Sequence, residues 1–311
     1  MTATDRDPVS VLLPTVEWTP ACDELAGQLR AGDELLVICD SESDPVAGRD
    51  PPENVEILTA GEPEGCSGKA NAMAHGMERA ANDRFVWTDA DYERGDEWLD
   101  RLAARGREHG PTSVLPYFIG SGWWLLFEPI LVLLLGLQHG LFRSSDDAFA
   151  WGGGVTFTRE ELAEGVPALV RDLRRCLSDD IVLDDHLGAC RIEKSMPVTV
   201  RVDGSASAVY HRLVRWMRAD HVHGGLLRPF VGSLGIAAAA ALSPFGVAAA
   251  VTLAALAAYY SLGLVRPTFL LAYPALFVLP LLLLAGILVE TCEWGGRRYR
   301  IRDAYDIEVL R

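Results

Sequence analysis

The sequence predicts an α/β protein: a mostly parallel, doubly wound sheet in residues 1–220, followed by a membrane region in residues 221–311. Three observations predict it. Short apolar runs alternate with helical stretches through the first 120 positions, and that alternation builds parallel sheets. Charge separates the two parts. Residues 1–220 carry 38 acidic and 21 basic side chains, a net of −17, whereas residues 221–311 carry 5 and 7, a net of +2. Finally, residues 229–265 and 267–289 contain no charged side chain, and runs of about 20 apolar residues are long enough to cross a bilayer.

The elements follow in order. Residues 9–13 form a strand stopped by Pro14-Thr15, and residues 21–30 a helix ended by Gly32. A second strand, 34–39, runs into Asp40-Ser-Glu-Ser-Asp44-Pro45, and a third spans 55–58. A helix over 69–81 leads into the strand 85–88, which ends in Asp89-Ala90-Asp91. A helix over 96–107 and a strand over 113–117 complete the series.

In open α/β sheets ligands bind beyond the carboxyl ends of the strands. Thr15, Asp40 and the pair Asp89 and Asp91 occupy such ends. Two carboxylates one residue apart can hold a divalent cation that clamps a diphosphate; equally, Asp89 can cap the next helix with Asp91 solvated. Lys69 can meet a phosphate at a helix start or be a solvated first-turn lysine. Gly152-Gly153-Gly154 lets the backbone approach a ligand closely, as ordinary turns also do. Ser178 or Asp179 can cap a helix that begins near Asp180, whose dipole favours an ionised carboxylate suited to a base. Asp184 and Asp185 are read as solvated.

Within the first part, residues 122–142 are unusually apolar. The uninterrupted stretch 130–137 is too short to span a bilayer, so a segment in the membrane interface with Trp123 and Trp124 at headgroup level is expected; a buried core helix is the alternative. Residues 210–218 are basic and aromatic, and Arg212 and Arg215 share a helix face or simply flank a membrane helix. The first uncharged run gives two short spans or an interfacial helix with one span, and the second gives one span, so two to three crossings are expected. The tail around Arg297, Arg298, Arg300 and Arg302 is basic, as is the preceding flank, which favours an even number with both ends cytoplasmic.

Composition excludes several classes. An acidic surface argues against nucleic acid as a partner. Only two of the 28 basic residues, Lys69 and Lys194, are lysines, which suggests a high-salt cytoplasm or a GC-rich genome. The six cysteines lack paired spacing and read as reduced, buried thiols. The N-terminus carries no apolar signal-like run. Neither Gly-x-Gly-x-x-Gly nor a P-loop is present, and the seven histidines, His139 included, suggest no zinc site.

Taken in order, Pro14-Thr15, Asp40 to Asp44, Gly68-Lys69-Ala-Asn71, Asp89-Ala-Asp91, Gly152 to Arg159, Ser178-Asp179-Asp180 and Arg212-Leu-Val-Arg215-Trp216 resemble the family 2 glycosyltransferases. The likeness is to the membrane-bound branch with ceramide glucosyltransferase and the processive polysaccharide synthases. It covers roughly residues 9–218, and the Gln/Arg-x-x-Arg-Trp signature is its most specific element. The resemblance implies a Rossmann-like (GT-A) domain, Mg2+ or Mn2+, and inverting hexosyl transfer from a nucleotide-diphosphate sugar to a lipid-linked or membrane-inserted acceptor. It implies that Asp40 and Asp44 hold the nucleoside, that Asp89 lies by the sugar diphosphate and that Asp91 ligates the metal. Asp180 would be the base, and Arg212, Arg215 and Trp216 would serve the diphosphate and acceptor. Thr15, Lys69, Gly153 and Asp179 are further donor-site candidates. The chain departs from the pattern in having no membrane helix before the catalytic part and Pro14-Thr15-Val16-Glu17 where Pro-x-x-Asn-Glu is common. Two other readings stand beside it: a non-catalytic nucleotide-sugar-binding membrane protein and a nucleotidyltransferase. The expected location is the cell membrane, multi-pass, with the catalytic part cytoplasmic.

Overall fold

The structure is a computed structural model and describes residues 6–136 and 148–310. The first five residues of the N-terminus, the end of the expected interfacial segment (137–142) and His139 lie outside the described residues. The described chain forms two compact units: residues 6–116, 148–200 and 305–309, and residues 117–136, 201–304 and 310. The sequence reading placed its single boundary at 220.

The first unit is built on a seven-stranded sheet in the order β3-β2-β1-β4-β6-β5-β7. Its strands are β1 (Val9–Pro14), β2 (Glu34–Cys39), β3 (Val55–Thr59), β4 (Arg84–Thr88), β5 (Thr112–Gly120), β6 (Gly154–Thr158) and β7 (Arg191–Val202). The tips of β5 and β7 belong to the second unit. β1 pairs in parallel with β2 and β4, and β2 with β3. Central strands reading Val-Ser-Val-Leu-Leu and Glu-Leu-Leu-Val-Ile-Cys are apolar because both faces of such a sheet are covered. The expectation of a mostly parallel sheet needs one correction: β6 runs antiparallel to both β4 and β5. That reversal positions the site, because it delivers the start of β6 to the carboxyl end of β4, with Gly154 opposite Thr88.

Helices α1 (Pro20–Ala26), α2 (Gly68–Arg79), α3 (Trp98–His109), α5 (Val166–Leu173) and α6 (Asp179–Leu187) belong to this unit. α1 starts one residue earlier and ends four residues earlier than expected, and α3 starts and ends two residues later. One core gathers Leu12, Leu36, Phe85, Trp87 and Phe157 of the sheet with Met73 and Met77 of α2, Leu169 of α5 and Leu183 of α6. A Cβ at Gly76 would lie 2.5 Å from Ile38 Cδ1, so glycine there lets α2 sit close on the sheet. All six cysteines are free and buried, as expected.

The second unit holds α4 (Trp124–Leu135), α7 (Ala206–Gly224), α8 (Leu227–Leu242), α9 (Pro244–Ser261) and α10 (Ala272–Leu288), then the antiparallel pair β8 (Thr291–Trp294) and β9 (Arg297–Asp303). α9 and the 22-residue stretch Pro267–Leu288 are long and apolar enough to cross a membrane by length and composition. α4 arises from the expected interfacial segment, and its two tryptophans separate. Trp123 is 61% exposed, whereas Trp124 is buried against Trp216 and Phe118. One turn on, Glu128 is buried as well. Its carboxylate accepts Nε and Nη2 of Arg266 at 2.7 and 2.9 Å and is also bonded by Thr268 and Tyr259. Arg266 sits just before the stretch Pro267–Leu288, so this forked pair ties α4 to it.

Candidate active site

Sheet topology fixes where the site lies. From β1 the chain moves outward to β2 and β3, then returns to place β4 on the other side of β1. This is the topological switch point at which α/β sheets open a crevice. Thr15, Asp40 and Asp89 follow directly on the parallel neighbours β1, β2 and β4, so one sheet edge carries all three.

The centre of the site is Lys69. Ser67 caps α2, accepting the Ala70 amide at 3.1 Å, which puts Lys69 in the first turn. Its ammonium neither points to solvent nor stands open for a phosphate. It pairs with Asp89 Oδ1 at 2.7 Å, Asp179 Oδ2 at 3.1 Å and Asp180 Oδ1 at 3.8 Å. Burial opposes its charge, but Asp179, Asp89 and Asp180 outweigh that and hold its pKa well above the ordinary range.

Ser178, not Asp179, caps α6, its hydroxyl accepting the Ile181 amide. Asp179 is instead a nearly fully buried partner of Lys69. The ionised Asp180 expected from the helix dipole also needs correction. Burial, and after it the charge of Asp179, push Asp180 up to about 8, against the pull of Lys69 and the Gly152 amide. Burial, followed by the crowding of carboxylates, therefore outweighs the dipole. Asp184, read as solvated, accepts the Ala150 amide at 2.8 Å and so anchors the start of the glycine loop.

The three glycines divide their work. The Gly152 amide donates to Asp180 at 2.9 Å, and a Cβ there would lie 2.6 Å from the same carboxylate. At Gly153, the residue singled out from the sequence, a Cβ would lie 2.2 Å from the Trp151 ring and 2.5 Å from Asp89 Oδ2, and its carbonyl accepts the Asp89 amide at 3.1 Å. A side chain at either position would displace an acid, so the loop stitches Asp89 to Asp180.

The remaining candidates are distributed differently. Asp44 turns inward on its own loop, accepting the Asp40 and Ser41 amides at 2.9 and 2.8 Å. Thr15 bonds Glu17. Both side chains shape the strand ends. Asp40 is buried and Asp91 exposed. Arg212, Arg215 and Trp216 lie in the second unit on α7, where Arg212 stacks on Trp216 and Arg215 on Trp294 at 3.9 Å. Among the described residues no group of three or more His, Cys, Asp or Glu is arranged to hold a metal. An exposed Asp91 beside Asp89 fits a different design, in which one or two carboxylates and a substrate diphosphate share a cation that keeps its waters.

Sequence reasoning missed Arg94 altogether, and it missed the depth at which Lys69 lies. Neither has a local signal, since both are charged residues near helix starts.

No protein-family model matches the chain, and no curated protein matches it. Among solved structures, glucosyl-3-phosphoglycerate synthase from Mycobacterium tuberculosis in complex with phosphoglyceric acid is 16% identical, with a TM-score of 0.41 over 69% of this chain and 80% of that one. The same enzyme with Mn2+, uridine diphosphate and glucosyl-3-phosphoglycerate is 15% identical at the same TM-score and coverage. A mycobacterial protein of unspecified activity is 16% identical, with a TM-score of 0.38 over 68% and 76% of the two chains.

Proposed function

We propose that this chain is a metal-dependent, inverting glycosyltransferase that moves a hexose from a nucleotide-diphosphate sugar to a lipid-linked or membrane-inserted acceptor. One observation carries the reading: carboxylates from separate segments, Asp89 after β4 and Asp179-Asp180 at the start of α6, converge on one ammonium at the switch point of an α/β sheet. In such a transfer the acceptor oxygen bonds to the anomeric carbon as the bond to the diphosphate breaks. The acceptor proton goes to a base, and the nucleoside diphosphate leaves with the electron pair. Asp180 is the proposed base, and a carboxyl titrating near the working pH is both ionisable there and basic enough to take a proton. Asp91 with Asp89 would hold Mg2+ or Mn2+, which supplies charge neutralisation at the departing diphosphate. Asp40 is the proposed nucleoside residue. Arg212, Arg215 and Trp216 are proposed for the diphosphate and acceptor on the strength of their spacing.

The membrane part of the proposal, a multi-pass protein with its catalytic unit cytoplasmic, is supported by exposed apolar surface. Phe245 and Leu242 are 91% and 87% exposed, as side chains meant for a lipid or protein cover are. An even number of crossings is supported by contacts of α7 with the tail. Arg218 Nη2 donates to the Ile301 carbonyl at 2.8 Å, and Arg215 stacks on Trp294, so the segments entering and leaving the apolar helices meet.

The ion pairs of Lys69 favour a second reading, a nucleotide-sugar-binding protein without turnover, because they neutralise the proposed base. One experiment separates the readings. Purified protein is incubated with a panel of nucleotide-sugars, Mn2+ or Mg2+, and native lipids. Transfer or sugar-nucleotide hydrolysis, lost in Asp91→Ala together with metal-dependent nucleotide binding, supports the enzyme. Binding without turnover supports the second reading, pyrophosphate release from a nucleoside triphosphate indicates a nucleotidyltransferase, and absence of both binding and turnover refutes the proposal.

A further inference from the structure

Beneath the carboxylate turn lies a second cation. Arg94 has a side chain with no exposed surface. Its guanidinium stacks on Tyr92 at 4.0 Å and on Trp98 at 5.2 Å. Its edge donates to three acceptors of one short segment: the Thr88 hydroxyl at 2.5 Å, the Tyr92 carbonyl at 3.0 Å and the Asp89 carbonyl. Glu24 of α1 lies 3.8 Å away and also accepts the Arg94 amide. The ring of Trp151, in the glycine loop, lies 5.7 Å from the Tyr92 ring.

This is an unusual use of an arginine. A buried guanidinium is costly unless its donors are met and its charge opposed. Here the two Nη groups are spent on the Thr88 hydroxyl and the Asp89 and Tyr92 carbonyls, in the segment that carries both Asp89 and Asp91, while Nε finds no hydrogen-bond partner among the described residues. A lysine has no fork to span three acceptors and stacks less well on aromatic faces. The position also has an electrostatic reason. Asp89, Asp179 and Asp180 gather on one ammonium, with Asp91 two residues along the same turn, and a fixed positive charge behind the turn lowers the cost of keeping these acids together.

We propose that Arg94 is the positioning residue of this turn, holding Asp89 and Asp91 in a fixed mutual geometry toward a divalent cation carried on a nucleoside diphosphate. It touches neither substrate nor cation. The inference rests on the glycosyltransferase reading. Groups that orient metal ligands from behind typically change metal affinity by about 10–100-fold when altered, and that range sets the expectation.

The test is a Mn2+ titration, read by electron paramagnetic resonance, of wild type, Arg94→Lys and Thr88→Val in the presence of uridine or guanosine diphosphate. The binding of each nucleotide without metal is measured alongside. Arg94→Lys keeps the charge and loses the fork, so its Mn2+ affinity should fall about 10–100-fold with metal-free nucleotide binding unchanged. Thr88→Val removes the hydroxyl that accepts from Arg94 and also bonds Tyr92 and the Gly153 carbonyl while leaving Arg94 in place, so a loss of about threefold is expected, and it carries the test if Arg94→Lys does not fold. Wild-type Mn2+ affinity in folded Arg94→Lys, or in Thr88→Val should the lysine variant not fold, overturns the inference and leaves the function standing. Equal losses with and without metal also overturn it, because they mark a purely structural residue. If wild type binds no Mn2+ with either nucleotide, the functional reading fails and this inference with it.

Discussion

Replacing Lys69 by methionine keeps the length of the side chain and removes the charge on which Asp89, Asp179 and Asp180 converge. At an effective dielectric near 20, attractions across 2.7, 3.1 and 3.8 Å are each worth roughly 4–6 kcal/mol. Desolvation and repulsion among the acids cancel much of this. Removing one partner of a buried ion pair costs about 3–5 kcal/mol in practice, and with Lys69 only 14% exposed the ligand-free variant should lose that amount at pH 8.5. The pH dependence is the sharper signature. Asp180 titrates near 8 in the folded protein against 3.8 ordinarily. The folded state therefore binds more protons than the unfolded chain between those values, and stability falls as pH rises through that window. Lys69 opposes the shift, so its loss should steepen the fall. At pH 5 Asp180 is protonated, the acids repel less, and the variant should lie closer to wild type. Urea unfolding followed by tryptophan fluorescence at pH 5 and 8.5 measures this. A loss below about 1 kcal/mol at pH 8.5, or a larger loss at pH 5, would refute the reasoning.

Other outcomes follow from the same geometry. Asp180→Asn keeps the shape and the bond from Gly152, so transfer assays should show a loss of about 10²–10⁴-fold with donor affinity little changed. The ligand-free variant should gain about 0.5–2 kcal/mol above pH 8, where the ionised acid is otherwise a cost. Asp179→Asn, measured by the same unfolding assay, should cost more than the ~1 kcal/mol of a lost helix cap, since Ser178 is the cap and Asp179 is buried on Lys69. Gly153→Ala forces a Cβ onto Trp151 and Asp89 and should lower stability by about 1–3 kcal/mol, with nucleotide binding weakened in calorimetry. Glu128→Ala strands Arg266 and should destabilise detergent-solubilised protein by about 3–5 kcal/mol. Thermal unfolding matching wild type would show the forked pair to be dispensable.

The strands β1 to β4 and the acids at their carboxyl ends are legible in the residue pattern alone. Apolar strand patterning and its punctuation by Pro14, Asp40 and Asp89 are local signals that propensity and burial impose on any chain of this kind. The residue pattern likewise marks the two long apolar stretches, because an uncharged run is legible without knowing its neighbours. The alternation in β7, with Met196, Val198, Val200 and Val202 buried, is a strand signal of the same local kind. Which charges meet is set by the folded chain. Asp89 and Asp179 are 90 positions apart, and Lys69 stands against both because β6 runs antiparallel and its glycine loop links the two acids. Whether a lysine is solvated or caged, whether Asp179 or Ser178 caps α6, and whether Asp180 is ionised all depend on that long-range convergence. Burial and Coulomb energies are set by distance in space, and no local pattern records them.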